Sequence, residues 1–95
     1  MEELSEQMVV VNPLGMHARP AANLVHTVLQ FASEVYIQHN NSHRVNAKSI
    51  MGLLTLAAAQ GSRLTVTCKG PDAQAALDAV RKLFASGFGD DLQSN

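Results

Sequence analysis

Hydrophobic positions along the 95-residue chain fall into short blocks whose spacing sorts them into strands and helices. Residues 8–11 (Met8, Val9, Val10, Val11) form an apolar run halted by Asn12, Pro13 and Gly15, which predicts a short buried strand with Met8 in the core. Ala21, Leu24, Val25, Val28, Phe31 and Ala32 then recur at the spacing of one helix face and predict a helix over 18–31. Pro20 does not break it, because a first-turn N–H has no carbonyl one turn back to bond. Residues 34–38 alternate around Val35 and Ile37 as a second strand. His39, Asn40, Asn41 and Ser42 have turn chemistry, since asparagine tolerates left-handed backbone. A returning strand over 43–47 would complete a hairpin.

Residues 49–59 carry Ile50, Leu53, Leu54, Ala57 and Ala58 at helical spacing, with Gly52 weakening the helix and Gly61 closing it. Residues 64–69 alternate Leu64, Val66 and Cys68 against Thr65, Thr67 and Lys69, a half-buried strand. Gly70, Pro71 and Asp72 open a third helix, with Pro71 expected at its first position and Asp72 in its first turn. Ala73, Ala76, Leu77, Val80, Leu83 and Phe84 form its inner stripe. Arg81 and Lys82 suit its C-terminal end, and Gly87 suits its cap. The order βαββαβα, with one tight hairpin and helices long enough to cover one sheet face, predicts a two-layer α+β fold. There is no internal repeat and no linker.

Composition narrows the function. The length fits one domain, 1–95, which buries somewhat above roughly 60% of its unfolded surface. Aromatics are few (Phe31, Phe84, Phe88, Tyr36), so the core must be aliphatic and alanine-rich. A net charge of −1 leaves no electrostatic footprint for nucleic acid, and no basic, aromatic face exists for stacking bases. Cys68 is the single cysteine, so no intramolecular disulfide can form, and a small unstapled domain points to the cytoplasm. The acidic start is unlike a signal peptide, and no apolar stretch is long enough to span a bilayer. The polar end of the chain, from Gly89 to Asn95, is expected to fray. Nothing suggests self-association, so a monomer is expected. His39 and His43 are separated by a turn and His26 is isolated on its helix, so no metal site is expected.

The chemistry concentrates in Leu14-Gly-Met-His-Ala-Arg-Pro-Ala21. An unperturbed imidazole titrates near 6.5, so His17 offers a nucleophilic nitrogen near neutral pH. It lies where a glycine-containing turn meets a helix start, whose N–H groups and dipole favour an anion. Arg19 adds a planar, permanently charged fork suited to phosphate. A nucleophile, an anion cradle and a cation within three residues suit a phosphoryl group held on nitrogen. On physics alone a plainer reading stands beside it, with His17 an ordinary helix cap and Arg19 a solvated charge. No P-loop, no carboxylate cluster for Mg²⁺ and no Ser/His/Asp arrangement is legible, so no cofactor is expected. The domain suits a carrier better than a stand-alone turnover enzyme.

Ser49 precedes an apolar helical run and occupies a natural N-cap position. One reading is capping alone; the second is a phosphorylation site beside Ile50 and Met51. Phosphate there would add about −1.5 to −2 charge and spoil docking of an acidic partner. Ile50 and Met51 are adjacent on a short helix, so both cannot point into the core, and an exposed apolar residue here reads as interface.

These two stretches carry a resemblance. Leu14–Ala21 resembles the phosphohistidine signature of the HPr family, the histidine-containing phosphocarriers of the bacterial phosphoenolpyruvate-dependent phosphotransferase system. Asn46-Ala-Lys-Ser-Ile-Met-Gly-Leu-Leu54 resembles that family's serine-phosphorylation signature, and the likeness spans about residues 6–89. It implies an open-faced β-sandwich, a four-stranded antiparallel sheet covered on one face by three helices. It implies that His17 accepts a phosphoryl group on Nδ1 from phosphorylated enzyme I and passes it to an EIIA-type domain. Arg19 would steady the phosphoryl group, Pro20 would fix the helix start, and Ser49 would be the target of an HPr kinase/phosphorylase. Ala18, Arg19, Pro20, Ala22, Ile50, Met51, Leu54 and Thr55 would dock partners. His26 and Gln30 stand where many sugar-transport members carry lysines. The first motif is also similar to the nitrogen-related branch, NPr, whose members often lack the serine motif intact here. The alternative is a mainly regulatory module, nitrogen-type or catabolite-control, acting through phospho-Ser49 and partner binding. A third reading, a structural domain without phosphoryl chemistry, needs both motifs to be coincidental.

Overall fold

The structure is a computed structural model and describes residues 2–89. The expected frayed segment beyond Gly89 lies outside the described residues. The elements run β1 (Glu3–Val9), α1 (Ala18–Val28), β2 (Glu34–His39), β3 (Val45–Asn46), α2 (Ile50–Leu54), β4 (Arg63–Lys69) and α3 (Ala73–Ala85). The strands form one antiparallel sheet in the order β1-β4-β2-β3. Met8, Val35, Ile37, Val45, Leu64, Val66 and Cys68 point to one face and are buried under the helices. The other face is open and polar, with Ser5 and Thr67 hydrogen-bonded side by side at 2.8 Å.

The helical stripes lie where the spacing puts them. Ala21, Leu24 and Val28 of α1 and Ala73, Ala76, Leu77, Val80 and Phe84 of α3 are buried, while Val25, Phe31 and Leu83 pack half-buried at the margin. Burying each large aliphatic side chain of this kind contributes about 1.5–3 kcal/mol. The core is aliphatic apart from Phe84 and Phe88, whose rings lie 4.5 Å apart. After α3, Gly87 takes φ 72°, and two reversed bonds close the helix: Gly87 N–H to Phe84 O and Phe88 N–H to Leu83 O. This is a Schellman cap at the expected glycine. It turns Phe88 inward, where its carbonyl accepts from Asn23 Nδ2 of α1 at 2.6 Å.

Several boundaries depart from expectation. The first strand is Glu3–Val9 rather than 8–11, because the polar residues Ser5 and Gln7 alternate onto the open face while Leu4, Glu6 and Met8 turn inward. Glu6 is accommodated by Arg81 of α3, which grips its carboxylate at 2.7 and 2.9 Å and also reaches Asp78. Val10 leaves the ladder but still bonds Ser62 and Gly61. α1 stops at Val28 rather than 31, since Gln30 and Phe31 tighten into three-residue bonds to Thr27 and Val28. The return strand shrinks from 43–47 to Val45–Asn46. The turn at Asn40, which has φ 54°, widens because Ser42 bonds back to His39 O through both N–H and Oγ.

The second helix is five residues long, not 49–59. Thr55 Oγ1 donates to Gly52 O at 2.6 Å, and Ala57 at φ 51° turns the chain out of the helix. The third helix begins at Ala73, so Pro71 lies before it and Asp72 is its N-cap residue, not part of its first turn. The Asp72 carboxylate is engaged elsewhere. It accepts from Ser33 N–H at 2.8 Å, from Ser33 Oγ, and from Ala32 N–H at 2.9 Å, joining the α1–β2 turn to the start of α3.

Candidate functional site

The loop from Asn12 to His17 is built to present one side chain. Buried Asn12 donates from Nδ2 to Gly15 O at 2.8 Å, and Gly15 N–H returns a bond to Asn12 O. Gly15 has φ 72°, a left-handed value that suits glycine. Met16, buried, donates its N–H to Ala58 O at 2.8 Å, which pins the loop to the segment after α2. His17 then stands at the N-cap of α1 with φ −102° and ψ −170°. Its carbonyl accepts the first helical bond, from Ala21 N–H at 3.0 Å. Its side chain is half-buried.

Arg19 follows at the second helical position, exposed, with buried Pro20 next to it. The first turn of α1 contains no acidic residue. The positive end of an 11-residue helix and its opening N–H groups therefore lie where His17 emerges, with Arg19 two residues on. That arrangement suits a doubly charged phosphoryl oxyanion beside the ring. Ala18 and Ala22 are exposed on the same helix.

Ser49 is the N-cap of α2, as the spacing requires. Its Oγ accepts from Gly52 N–H at 3.1 Å. The preceding residue, Lys48, reaches across to Phe31 O at 3.1 Å. α2 packs against α1 and buries only Leu53. Ile50, Met51 and Leu54 are exposed, Met51 by 75%, and Thr55 is exposed too. The expectation that one of Ile50 and Met51 faces solvent is exceeded, since both do.

Ile50, Met51 and Leu54 of α2, Thr55 at its C-cap, and Ala18, Arg19 and Ala22 of α1 thus belong to two packed helices. Leu14, 78% exposed in the loop before His17, extends the apolar surface and was legible only as part of the turn. The contact between Met16 and Ala58 was also missed, because 41 residues lie between them rather than a local spacing.

Cys68 is buried under the sheet, where burial first and the Asp72 charge second push its thiol up to about 11. Among the described residues no three His, Cys, Asp or Glu side chains gather as a metal site, and no helix is long and apolar enough to cross a membrane.

Comparison with known proteins places this geometry. Residues 4–86 match the family model described as the PTS HPr component phosphorylation site. The chain is 42% identical over 87 residues to phosphocarrier protein HPr of Cupriavidus necator, covering 92% of this chain and 97% of that one. It is 38% identical over 88 residues to phosphocarrier protein NPr of Escherichia coli K12, covering 93% and 98%. The crystal structure of HPr-C-His from Thermoanaerobacter tengcongensis superposes with a TM-score of 0.84 at 38% identity, covering 97% of this chain and all of that one. The fold is the open-faced sandwich that the motifs implied, and the chain belongs to the HPr family of phosphotransferase-system phosphocarriers.

Proposed function

We propose that His17 accepts a phosphoryl group from phosphorylated enzyme I and passes it to an EIIA-type domain. The observation that carries this reading is a half-buried imidazole at the N-cap of α1, at the positive end of the helix, with Arg19 two residues on. In the acceptance step the Nδ1 lone pair attacks phosphorus, the P–N bond forms, and the bond from phosphorus to the donor breaks. The opening N–H groups of α1 and the Arg19 guanidinium stabilise the negative charge on the transferring oxygens. Transfer onward is the same exchange in reverse, with the acceptor as nucleophile. Pro20 fixes the backbone at the helix start, and Ala18, Ala22, Ile50, Met51, Leu54 and Thr55 meet the partner.

In this reading the carrier acts as a monomer in the cytoplasm, and every group invoked in the transfer comes from one chain. The test is incubation with enzyme I and phosphoenolpyruvate. An acid-labile phosphoryl group should appear on the wild type and not on His17→Ala. Its persistence in that variant contradicts the reading.

A second reading is favoured by Ser49, whose Oγ sits at the α2 N-terminus beside exposed Ile50 and Met51. Phosphorylation there by an HPr kinase/phosphorylase would place about −1.5 to −2 charge on the docking surface and slow transfer from enzyme I, making the chain a regulatory module as well. Acid-stable label from ATP and such a kinase, lost in Ser49→Ala, tests it. No label on Ser49 removes it.

A further inference from the structure

One histidine outside the residues already assigned is tied to the segment that holds the His17 loop. His39 ends β2, half-buried, with Nδ1 3.1 Å from Leu56 O. A carbonyl oxygen only accepts, so Nδ1 carries the proton and donates. Two residues further on, Ala58 O accepts from Met16 N–H at 2.8 Å, and the bare α-carbon of Gly15 packs on the same carbonyl. Between these anchors Ala57 holds φ 51°, a left-handed conformation that residues with a β-carbon rarely adopt. Backbone of this kind persists only where its surroundings over-determine it. Residues 56–58 therefore form a bridge, fixed to the sheet by His39 at one end and carrying the loop that presents His17 at the other.

We infer that His39 is a positioning residue for phosphoryl transfer at His17. By fixing the Leu56 carbonyl it holds Ala58 against Met16 and so sets where the His17 ring emerges at the start of α1. It touches neither the phosphoryl group nor the partner. The inference rests on the reading of His17 as phosphoryl acceptor. Its chemical basis is the steep dependence of a displacement on reactant geometry, in which a misplacement of about 1 Å can cost a hundredfold in rate.

The test compares the full-length wild type with His39→Leu and His39→Asn. Leucine fills the space without a donor. Asparagine offers Nδ2 one bond beyond Cγ, where Nδ1 stands in histidine. With enzyme I and phosphoenolpyruvate, His39→Leu should lower kcat about tenfold while KM for this chain stays within about twofold. Hydrogen exchange of the Met16 amide should quicken by about tenfold while the amide of Val66 in the sheet centre is unchanged. His39→Asn should restore both. Unaltered kcat and Met16 exchange in His39→Leu overturn the proposal. So does an equal quickening throughout the sheet, or a loss that His39→Asn fails to rescue, since either assigns His39 to general stability. If the wild type itself accepts no phosphoryl group, the His17 reading fails, and Met16 exchange still decides whether His39 holds the loop.

Discussion

The α-carbon of Gly15 packs on the carbonyl of Ala58 so closely that a β-carbon would stand 2.4 Å from the oxygen. The same carbonyl takes the Met16 amide, so the loop that presents His17 and the segment after α2 are one unit. Gly15→Ala must both strain a left-handed backbone and force that carbonyl aside. A loss of about 2 kcal/mol or more is expected in urea unfolding, together with slower phosphoryl acceptance. Wild-type stability in this variant would show that the two segments yield independently.

Asp72 ties the α1–β2 turn to α3, and its pH dependence has a definite sign. The Ser33 hydroxyl first, then the Ala32 and Ser33 amides, hold its carboxyl below the usual carboxylate range. Over that range the unfolded chain binds more protons than the folded one, so stability rises with pH. The contribution is complete above the ordinary carboxylate pKa and fades as pH falls through the lower folded value. Urea unfolding of Asp72→Asn should therefore lose less stability than wild type between about pH 5 and pH 3. Parallel curves for the two proteins would contradict this assignment.

Met51 is exposed, and in the proposed reading it serves docking. Met51→Ala should leave unfolding free energy within about 0.5 kcal/mol of wild type. It should raise KM for phosphoryl acceptance severalfold with a smaller change in kcat. Equal kinetics in both proteins would remove the α2 surface from the encounter.

Ser49 allows its two roles to be separated. Ser49→Ala removes the bond to Gly52 N–H and should cost about 1 kcal/mol, with transfer from enzyme I largely retained. Ser49→Asp keeps a good cap, because aspartate accepts as serine does, but adds charge beside Ile50 and Met51. It should be nearly as stable as wild type and slower in transfer. Equal transfer rates for the two variants would mean that charge at this position does not govern docking.

What the sequence disclosed followed from range. The stripes of α1 and α3, the alternation of β4, the Gly87 cap and the place of His17 at a helix start each depend on neighbours within a turn or a strand, and each was legible. β1 was misjudged because its inward position 6 is a glutamate, acceptable only because Arg81 lies opposite, 75 residues away. α2 was drawn too long because helical spacing continues to Ala58, whereas the chain turns at Ala57 to meet Met16. Asp72 looked like a first-turn acid until Ser33, 39 residues earlier, claimed its carboxylate. The same limit hid the bond from His39 to Leu56. Local chemistry singled out His17 as the candidate nucleophile, while the contacts that hold its loop are tertiary.

The most direct test of the account is to locate the phosphoryl group itself. The wild type, phosphorylated by enzyme I and phosphoenolpyruvate and kept out of acid, would be digested and sequenced by mass spectrometry. The chain offers four histidines, His17, His26, His39 and His43, so the result is discriminating. The account predicts a single phosphoryl group on His17, with the other three unmodified. Label on any of those three, with His17 bare, would contradict it.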